Sequence, residues 1–444
     1  MKHSHIFFYL LLFFTSCKKS LEVDIPAGTI MSDLVFADSG KADAALIGIY
    51  GNLVNTNGFA RWWTTLYCGY SSDEIDKYNA DATSLEFINN QISVTNNINY
   101  NLWKSLYSNI YYANVAIEGL SLNRQLGTAT RNRLWGEAKF IRAFCYFYLL
   151  NLYGEVPLVT STDYAVNATL PRSRLESGYA LVGEDLNDAI GLFASAYEGD
   201  NKRPGIWSAR ALLARVYLFN GNWTEAGLEA DTVIQSGLFS LAPTPSLVFA
   251  RESPETIWQL AQSATTVPEY SYAFRSSSVP GNILRQTFME GFETKDQRKT
   301  AWTDSLTYLD NKYYRPGKYK SAVNTQYLVV FRLAEQILIK AEADAHTENF
   351  SSSINMLNEI RQRAGLDTYS GFSDTTALLV AIDEERKKEF FAEWGHRWMD
   401  LKRRGTAADV LTKIKPQWVA TSLRFPVPQN ELIANYKLTQ NEGY

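Results

Sequence analysis

The stretch WSARALLARVYLFNGNWTEAGLEADTVIQSG, residues 207–237, limits the fold of this chain more tightly than any other. Leu213, Ala214 and Tyr217 lead into Gly221, and Trp223 and Ala226 follow it, a spacing that suits two short helices folded back on each other. Each position has a physical reason. Ala214 and Ala226 let two antiparallel helices approach closely, Gly221 supplies the tight turn between them, and Tyr217 and Trp223 fill space toward neighbouring helices. Such a pair cannot bury its apolar faces alone, so it predicts a stack of further pairs.

These are the offsets of a tetratricopeptide repeat. A second, less regular pair runs over FRLAEQILIKAEADAHTENFSSSINMLNEIRQRAGL, residues 331–366, with Ala341, Phe350, Leu357 and Ile360 in the corresponding roles. Tyr100 to Leu120 and Arg131 to Tyr153 form a third candidate. Within it Leu134, Ala138, Ile141, Cys145 and Tyr148 recur at spacings of three and four, and further apolar residues widen the stripe. That breadth predicts a helix buried on more than one side. Gly154 and Pro157 then stop it, and Val156 to Val159 reads as an extended exit. A mainly α, tetratricopeptide-like superhelix of helix pairs is therefore expected, its scaffold chiefly over residues 99–237 and 327–405.

The material between the pairs is different. Residues 239–325 hold six prolines, many tyrosines and a short strand candidate at Thr256 to Leu260, and residues 50–98 include GFARWWTTLYCGYSSDEIDKYNADATS. Both segments read as loop-rich, and loops on a rigid scaffold are where binding residues usually sit. Aromatic residues make up 14 % of the chain, a surplus that serves either core packing or stacking on flat ligand faces such as sugars. A glycan site needs aromatic platforms with convergent amides and charges. Trp62, Trp63, Asp73, Tyr78 and Asn79 form one candidate set, and Tyr270, Tyr272 and Arg275 a second. For each ring taken singly, core packing is the competing role. The turn SSDEID offers oxygens of the kind Ca²⁺ takes, but a solvated turn or helix cap is the preferred reading, and no metal is assigned.

Near the start, Ile6 to Phe14 is a run of nine apolar residues. A membrane span needs roughly 20, so the run fits a signal-peptide core instead. Thr15 and Ser16 then abut Cys17, which resembles the lipobox of bacterial lipoproteins. That resemblance implies a signal peptide over residues 1–16, a lipid on Cys17 and a single domain over 17–444. Removing residues 1–16 takes one lysine from 43 basic residues and nothing from 47 acidic ones, leaving a net charge of −5. A nucleic-acid binder carries the opposite balance. Only Cys68, Cys145, His346 and His396 remain beyond Cys17, and no HExxH, CxxC, GxSxG or phosphate-binding glycine loop occurs. Common routes to metal hydrolysis or nucleophilic catalysis lack their parts, and no cofactor is expected.

One cluster invites a catalytic reading. Glu385, Glu389, Glu393, Arg397, Asp400 and Arg404 step along what reads as one helix, interspersed with Phe390, Phe391, Trp394 and Trp398. Two close carboxylates are the equipment of a glycosidase, but alternating acids and arginines at these spacings point instead to an ion-pair network pinning a packed helix. Gly395 in its midst is expected to mark a close helix crossing or a break.

Four stretches, IRAFCYFYLLNLYGEVPLV, LNEIRQRAGL, IDEERKKEFFAEWGHRWMDLKRRG and the terminal RFPVPQNELIANYKLTQNEGY, follow in an order that resembles the SusD/RagB family of outer-membrane nutrient-uptake lipoproteins. The resemblance implies four tetratricopeptide-like helix pairs beside an irregular ligand region with a few short strands. It also implies a surface lipoprotein with no reaction of its own, which binds oligosaccharide or another nutrient and delivers it to a SusC-like TonB-dependent β-barrel transporter. It implies a place on the outer membrane, lipid-anchored and facing the cell exterior. A surface glycoside hydrolase and a helical-repeat adaptor for protein partners are the competing readings.

Overall fold

The computed structural model describes residues 35–55, 58–193, 201–261, 273–274, 279–320 and 326–444. Cys17, Tyr270, Tyr272 and Arg275 lie outside the described residues. Helices α1 (Ser39–Val54) and α2 (Thr64–Ser71) come first. The helices that build the stack follow: α3 (Asn97–Leu122), α4 (Thr128–Tyr153), α5 (Leu175–Phe193), α6 (Ile206–Phe219), α7 (Trp223–Ile234), α8 (Leu333–His346), α9 (Phe350–Arg363) and α10 (Thr375–Glu389). Each of these eight packs against the next, which makes one continuous stack of helix pairs.

Local chemistry sets the boundaries. The Asn96 side chain caps α3 by accepting from the backbone N–H groups of Ile98 and Asn99 at 3.0 and 3.1 Å, and Asp374 caps α10 through the Ala377 N–H. Gly221, at φ +77°, turns the chain between α6 and α7 in a conformation that would strain any side chain. Ala214, Leu218, Ala226, Ala230 and Ile339 then close a small core where α6, α7 and α8 meet, with Tyr217 and Trp223 packed against it. This is the arrangement expected of residues 207–237.

Every residue of α4 from Phe140 to Leu150 is buried. The helix runs between α3 and α5, and its remaining face meets Trp258 and Phe331, whose rings lie 5.3 and 6.1 Å from that of Phe144. Burial of each such ring stabilises the fold by on the order of 2–3 kcal/mol. Trp258 belongs to β2 (Thr256–Leu260), which pairs antiparallel with β6 (Leu328–Arg332) in a ribbon whose residues are all buried. The remaining described strands are β1 (Ile75–Lys77), β3 (Asn282–Leu284), β4 (Thr303–Tyr308) and β5 (Asn311–Pro316), joined as one sheet in the order β1-β3-β5-β4.

The scaffold survives a long interruption. Helices α7 and α8 pack face to face although the whole proline-rich segment separates them in sequence, and a Cβ on Gly227 would lie only 3.2 Å from the Ala343 Cβ. The intervening chain therefore leaves the stack and returns to it without parting the helices.

Three sequence expectations need correction. The region 50–98 is less irregular than its composition suggests. Phe59–Trp63 forms a π-helical turn that continues into α2, and Ala82–Ile88 is another helix, because burial of Phe59, Trp63, Leu66, Tyr67 and Tyr70 favours a helical path. The turn at Ser71 to Glu74 is fully buried rather than solvated. The cluster from Glu385 to Arg404 is not one helix: α10 ends at Glu389 and α11 (His396–Arg403) starts after Gly395, which sits at φ +75°. Gly395 also marks a close crossing, since a Cβ there would meet Cys68 Cβ at 2.7 Å and Sγ at 2.9 Å.

Candidate binding groove

The sheet carries the candidate site. β1 and β3 pair in register, with Asp76 opposite Ile283, and β4 and β5 form a hairpin over Leu309 and Asp310, both in left-handed conformation. Between them opens a cleft of about 500 Å³ lined by Asp76, Arg285, Gln286, Asn311, Lys312, Tyr313 and Tyr314, with Leu284 and Ile414 among its apolar residues. Its size lies within the range of ligand sites. Its wall combines rings with amides and both signs of charge.

The geometry of the wall is fixed from behind. Arg285 Nη1 lies 2.9 Å from Asp76 Oδ2, and Lys312 Nζ sits 5.0 Å from the Tyr314 ring centroid, a cation–π distance. Tyr78 packs edge-on against Tyr313 at 5.4 Å and against Tyr308 at 5.7 Å, which extends the aromatic surface past the hairpin. The Tyr78 N–H donates to Gly281 O at 2.9 Å. Asn79 is exposed at φ +53°, a conformation that asparagine tolerates better than most residues. At the same end of β3, Asn282 accepts from the Tyr70 hydroxyl and donates through Nδ2 to Ala273 O at 2.5 Å.

The first predicted set divides. Tyr78 and Asn79 come to the end of this sheet. Trp63 is buried, and Trp62 is half-buried, stacked on Tyr67 at 6.4 Å and edge-on to Trp63 at 6.0 Å. Asp73 is buried and not part of the cleft wall. Its carboxylate bonds Arg397 Nε at 2.7 Å and Lys387 Nζ at 3.0 Å. Burial pushes the Asp73 carboxyl up, but these two cations outweigh it and hold it well below the usual carboxylate range. Asp73 thus ties the base of β1 to α11. Sequence reasoning missed Arg285, Asn311, Lys312, Tyr313 and Tyr314, because the two residues joining β4 and β5 are Leu-Asp rather than the Asn-Gly or Asp-Gly that signals a hairpin.

The acids of the C-terminal cluster face inward. Glu389 accepts from Arg332 at 2.5 Å, from Arg298 at 3.0 Å and from Arg363, all buried. Arg332 also bonds Glu255 and Glu393 at 2.9 Å, and Lys318 bonds Glu393 at 2.5 Å. Burial would raise the Glu389 carboxyl, and Arg363, Arg332 and Arg298 overcome it. The expected network exists, but most of its cations come from distant segments rather than from the next turn of the same helix. Asp76 is the only carboxylate among the described lining residues of the cleft, so the carboxylate pair of a glycosidase is not assembled there.

A rigid helical stack that holds up a tyrosine-walled groove, with its acids committed to buried ion pairs, has the build of a binding protein. Two family models match: residues 38–218 fit one described as "Starch-binding associating with outer membrane", and residues 253–444 fit one described as "SusD family". The chain belongs to the SusD/RagB family. Among its relatives, SusD-like protein P25 of Formosa agariphila is 26 % identical, with 100 % of both chains covered, and a SusD-like protein of Bacteroides ovatus is 25 % identical over 88 % of this chain and 80 % of its own. A SusD superfamily protein from Bacteroides vulgatus superposes with a TM-score of 0.83 at 23 % identity, covering 92 % of this chain and 100 % of that one. A laminarin-binding SusD-like protein superposes at 0.78 with 24 % identity, covering 91 % and 99 %. The fold is thus the tetratricopeptide-like SusD fold. The family is carbohydrate-binding and non-catalytic, and its members associate with the outer membrane. Among the described residues no helix is long and apolar enough to cross a membrane.

Proposed function

We propose that this chain is a lipid-anchored surface receptor that holds an oligosaccharide in the groove between β1, β3 and the β4–β5 hairpin and passes it to a SusC-like TonB-dependent barrel. The observation that carries this reading is the 500 Å³ cleft with Tyr313 and Tyr314 beside Arg285 and Asp76. Tyrosine rings supply a platform for the apolar face of a sugar, while the guanidinium, carboxylate and amides are spaced to meet its hydroxyls. Tyr78 and Asn79 extend the groove, and Trp62 and Trp63 back it through α2. Tyr270, Tyr272 and Arg275 enter the proposal as sequence neighbours of Ala273, whose carbonyl Asn282 holds. Asp73 acts through position, as the anchor of β1. Cys17 carries the lipid after removal of residues 1–16, and the body faces the cell exterior.

The test is retention of the chain, with Cys17 replaced, on a panel of polysaccharides that starts with laminarin, which one structural neighbour binds. Tyr313→Ala and Tyr78→Ala are expected to weaken retention about tenfold, the effect of losing one or two stacking faces. Full retention by both variants would place the site elsewhere. Shortening of the bound polymer by the purified chain would restore the hydrolase reading.

A further inference from the structure

A second cleft lies away from the sheet, in the helical scaffold. It has a volume of about 370 Å³ and opens between α3, the segment Pro157–Ala168 and the short C-terminal helix Gln429–Ala434. Trp103, Tyr107 and Tyr111 of α3 line it from one side, Tyr164 from another, and Glu431 faces them. Trp103 is buried and packs 4.9 Å from Tyr107, whereas Tyr111 and Tyr164 are 46 % and 81 % exposed and available to a ligand.

Most polar groups in this wall already serve the fold. The Tyr107 hydroxyl donates to Pro157 O at 2.9 Å, Asn167 Nδ2 to Ser161 O at 2.8 Å, and Asn435 Nδ2 to Leu170 O at 2.8 Å. The Thr162 hydroxyl donates to Glu118. Glu431 differs: it is half-buried, the Trp103 indole favours its charged form against the effect of burial, and among the described residues no lysine or arginine comes within ion-pair distance of it. Lys104 acts on it from outside the lining, where its ammonium lies 5.8 Å from the Tyr100 ring. The lining contains no cation. A neutral sugar needs several convergent donors and acceptors that this wall has already committed, and an anion would meet only a carboxylate and ring faces. Aromatic faces around one carboxylate attract a cation.

We propose that this cleft is a second ligand site, taking a small organic cation with its ammonium group against Glu431 and the rings of Tyr107, Tyr111 and Tyr164. A simple alkylamine and an amino sugar both carry such an ammonium, and the recognition chemistry is the same. The site stands independently of the groove reading.

The test is isothermal titration of the full chain in detergent with tetramethylammonium, glucosamine and glucose, in a Tyr313→Ala background that weakens the groove. Saturable binding of either cation, with glucose silent, is expected. Tetramethylammonium alone would mark the alkylamine source, and tighter glucosamine the amino-sugar source. Glu431→Gln, nearly isosteric, should weaken the cation about tenfold, and Tyr164→Ala about threefold, while Tyr164→Phe keeps affinity because it keeps the ring. Equal binding of glucose and glucosamine, unchanged affinity in Glu431→Gln, or no saturable binding in the millimolar range would overturn the proposal.

Discussion

Replacing Gly395 with alanine tests the crossing on which the groove rests. Two costs combine at this position. A side chain at φ +75° enters the left-handed region, which costs about 1 kcal/mol or slightly more for a residue with a Cβ. The new methyl would also lie 2.7 Å from Cys68 Cβ, inside a fully buried contact between α2 and α11, and overpacking of this sort typically costs about 1–3 kcal/mol. Gly405 provides the internal control. It has φ +70° and nothing within 4 Å of an added Cβ, so Gly405→Ala carries only the backbone cost. An unfolding entropy of about 2.1 cal/mol/K per residue gives roughly 0.9 kcal/mol/K for a chain of this length, or about 1 °C per kcal/mol. Gly395→Ala should therefore lower Tm by roughly 2–5 °C and Gly405→Ala by about 1 °C, measured by differential scanning calorimetry and checked by urea midpoint. The same contact positions Arg397 against Asp73 at the foot of β1, so the first variant should also weaken ligand retention and the second should not. Equal losses in both variants would refute the steric argument and leave only backbone strain.

Other consequences follow from the buried charges and thiols. Glu389→Gln leaves Arg298, Arg332 and Arg363 facing a neutral amide and should cost about 3–5 kcal/mol in urea unfolding; a loss under 1 kcal/mol would show that the network does not pin α10. Burial pushes the Glu74 carboxyl up to about 8, against 4.5 when unfolded. Between these values the folded chain holds a proton that the unfolded chain has released, so this group's stabilisation is complete below pH 4.5 and is lost as pH rises through 8. Glu74→Gln should thus gain stability relative to the parent on going from pH 5 to pH 9, by on the order of a few kcal/mol, and parallel pH curves would disprove the shift. Burial raises the Cys68 thiol to about 12 and the Cys145 thiol further, so peptides containing either should escape iodoacetamide until the chain unfolds; labelling of native protein would contradict the packing.

How much of this was legible beforehand depends on the range of the interaction concerned. Helix pairs are local: Gly221 turns between Ala214 and Ala226 with no help from distant chain, and the broad apolar stripe of α4 already stated that the helix would be buried on more than one side. The strand at Thr256–Leu260, the charge network and the importance of Gly395 were readable for the same reason, since periodicity and residue type encode them directly. The groove was readable only in part. Tyr78 and Asn79 stood out as loop residues, but their companions Arg285, Lys312 and Tyr313 lie more than two hundred residues away in sequence and meet them only because β1 pairs with β3 and β3 with β5.

Asp73 shows the limit most clearly. In the sequence it is one acid in a polar turn, whereas in the folded chain it is a buried partner of Arg397 and Lys387. By itself, then, the sequence determined the helical stack, the family and the kinds of residue a ligand site would use, because these follow from short spacings along one chain. Tertiary structure alone decided which acids are locked away and which rings line the cleft, because burial and charge pairing arise between segments that have no fixed spacing until the chain has folded.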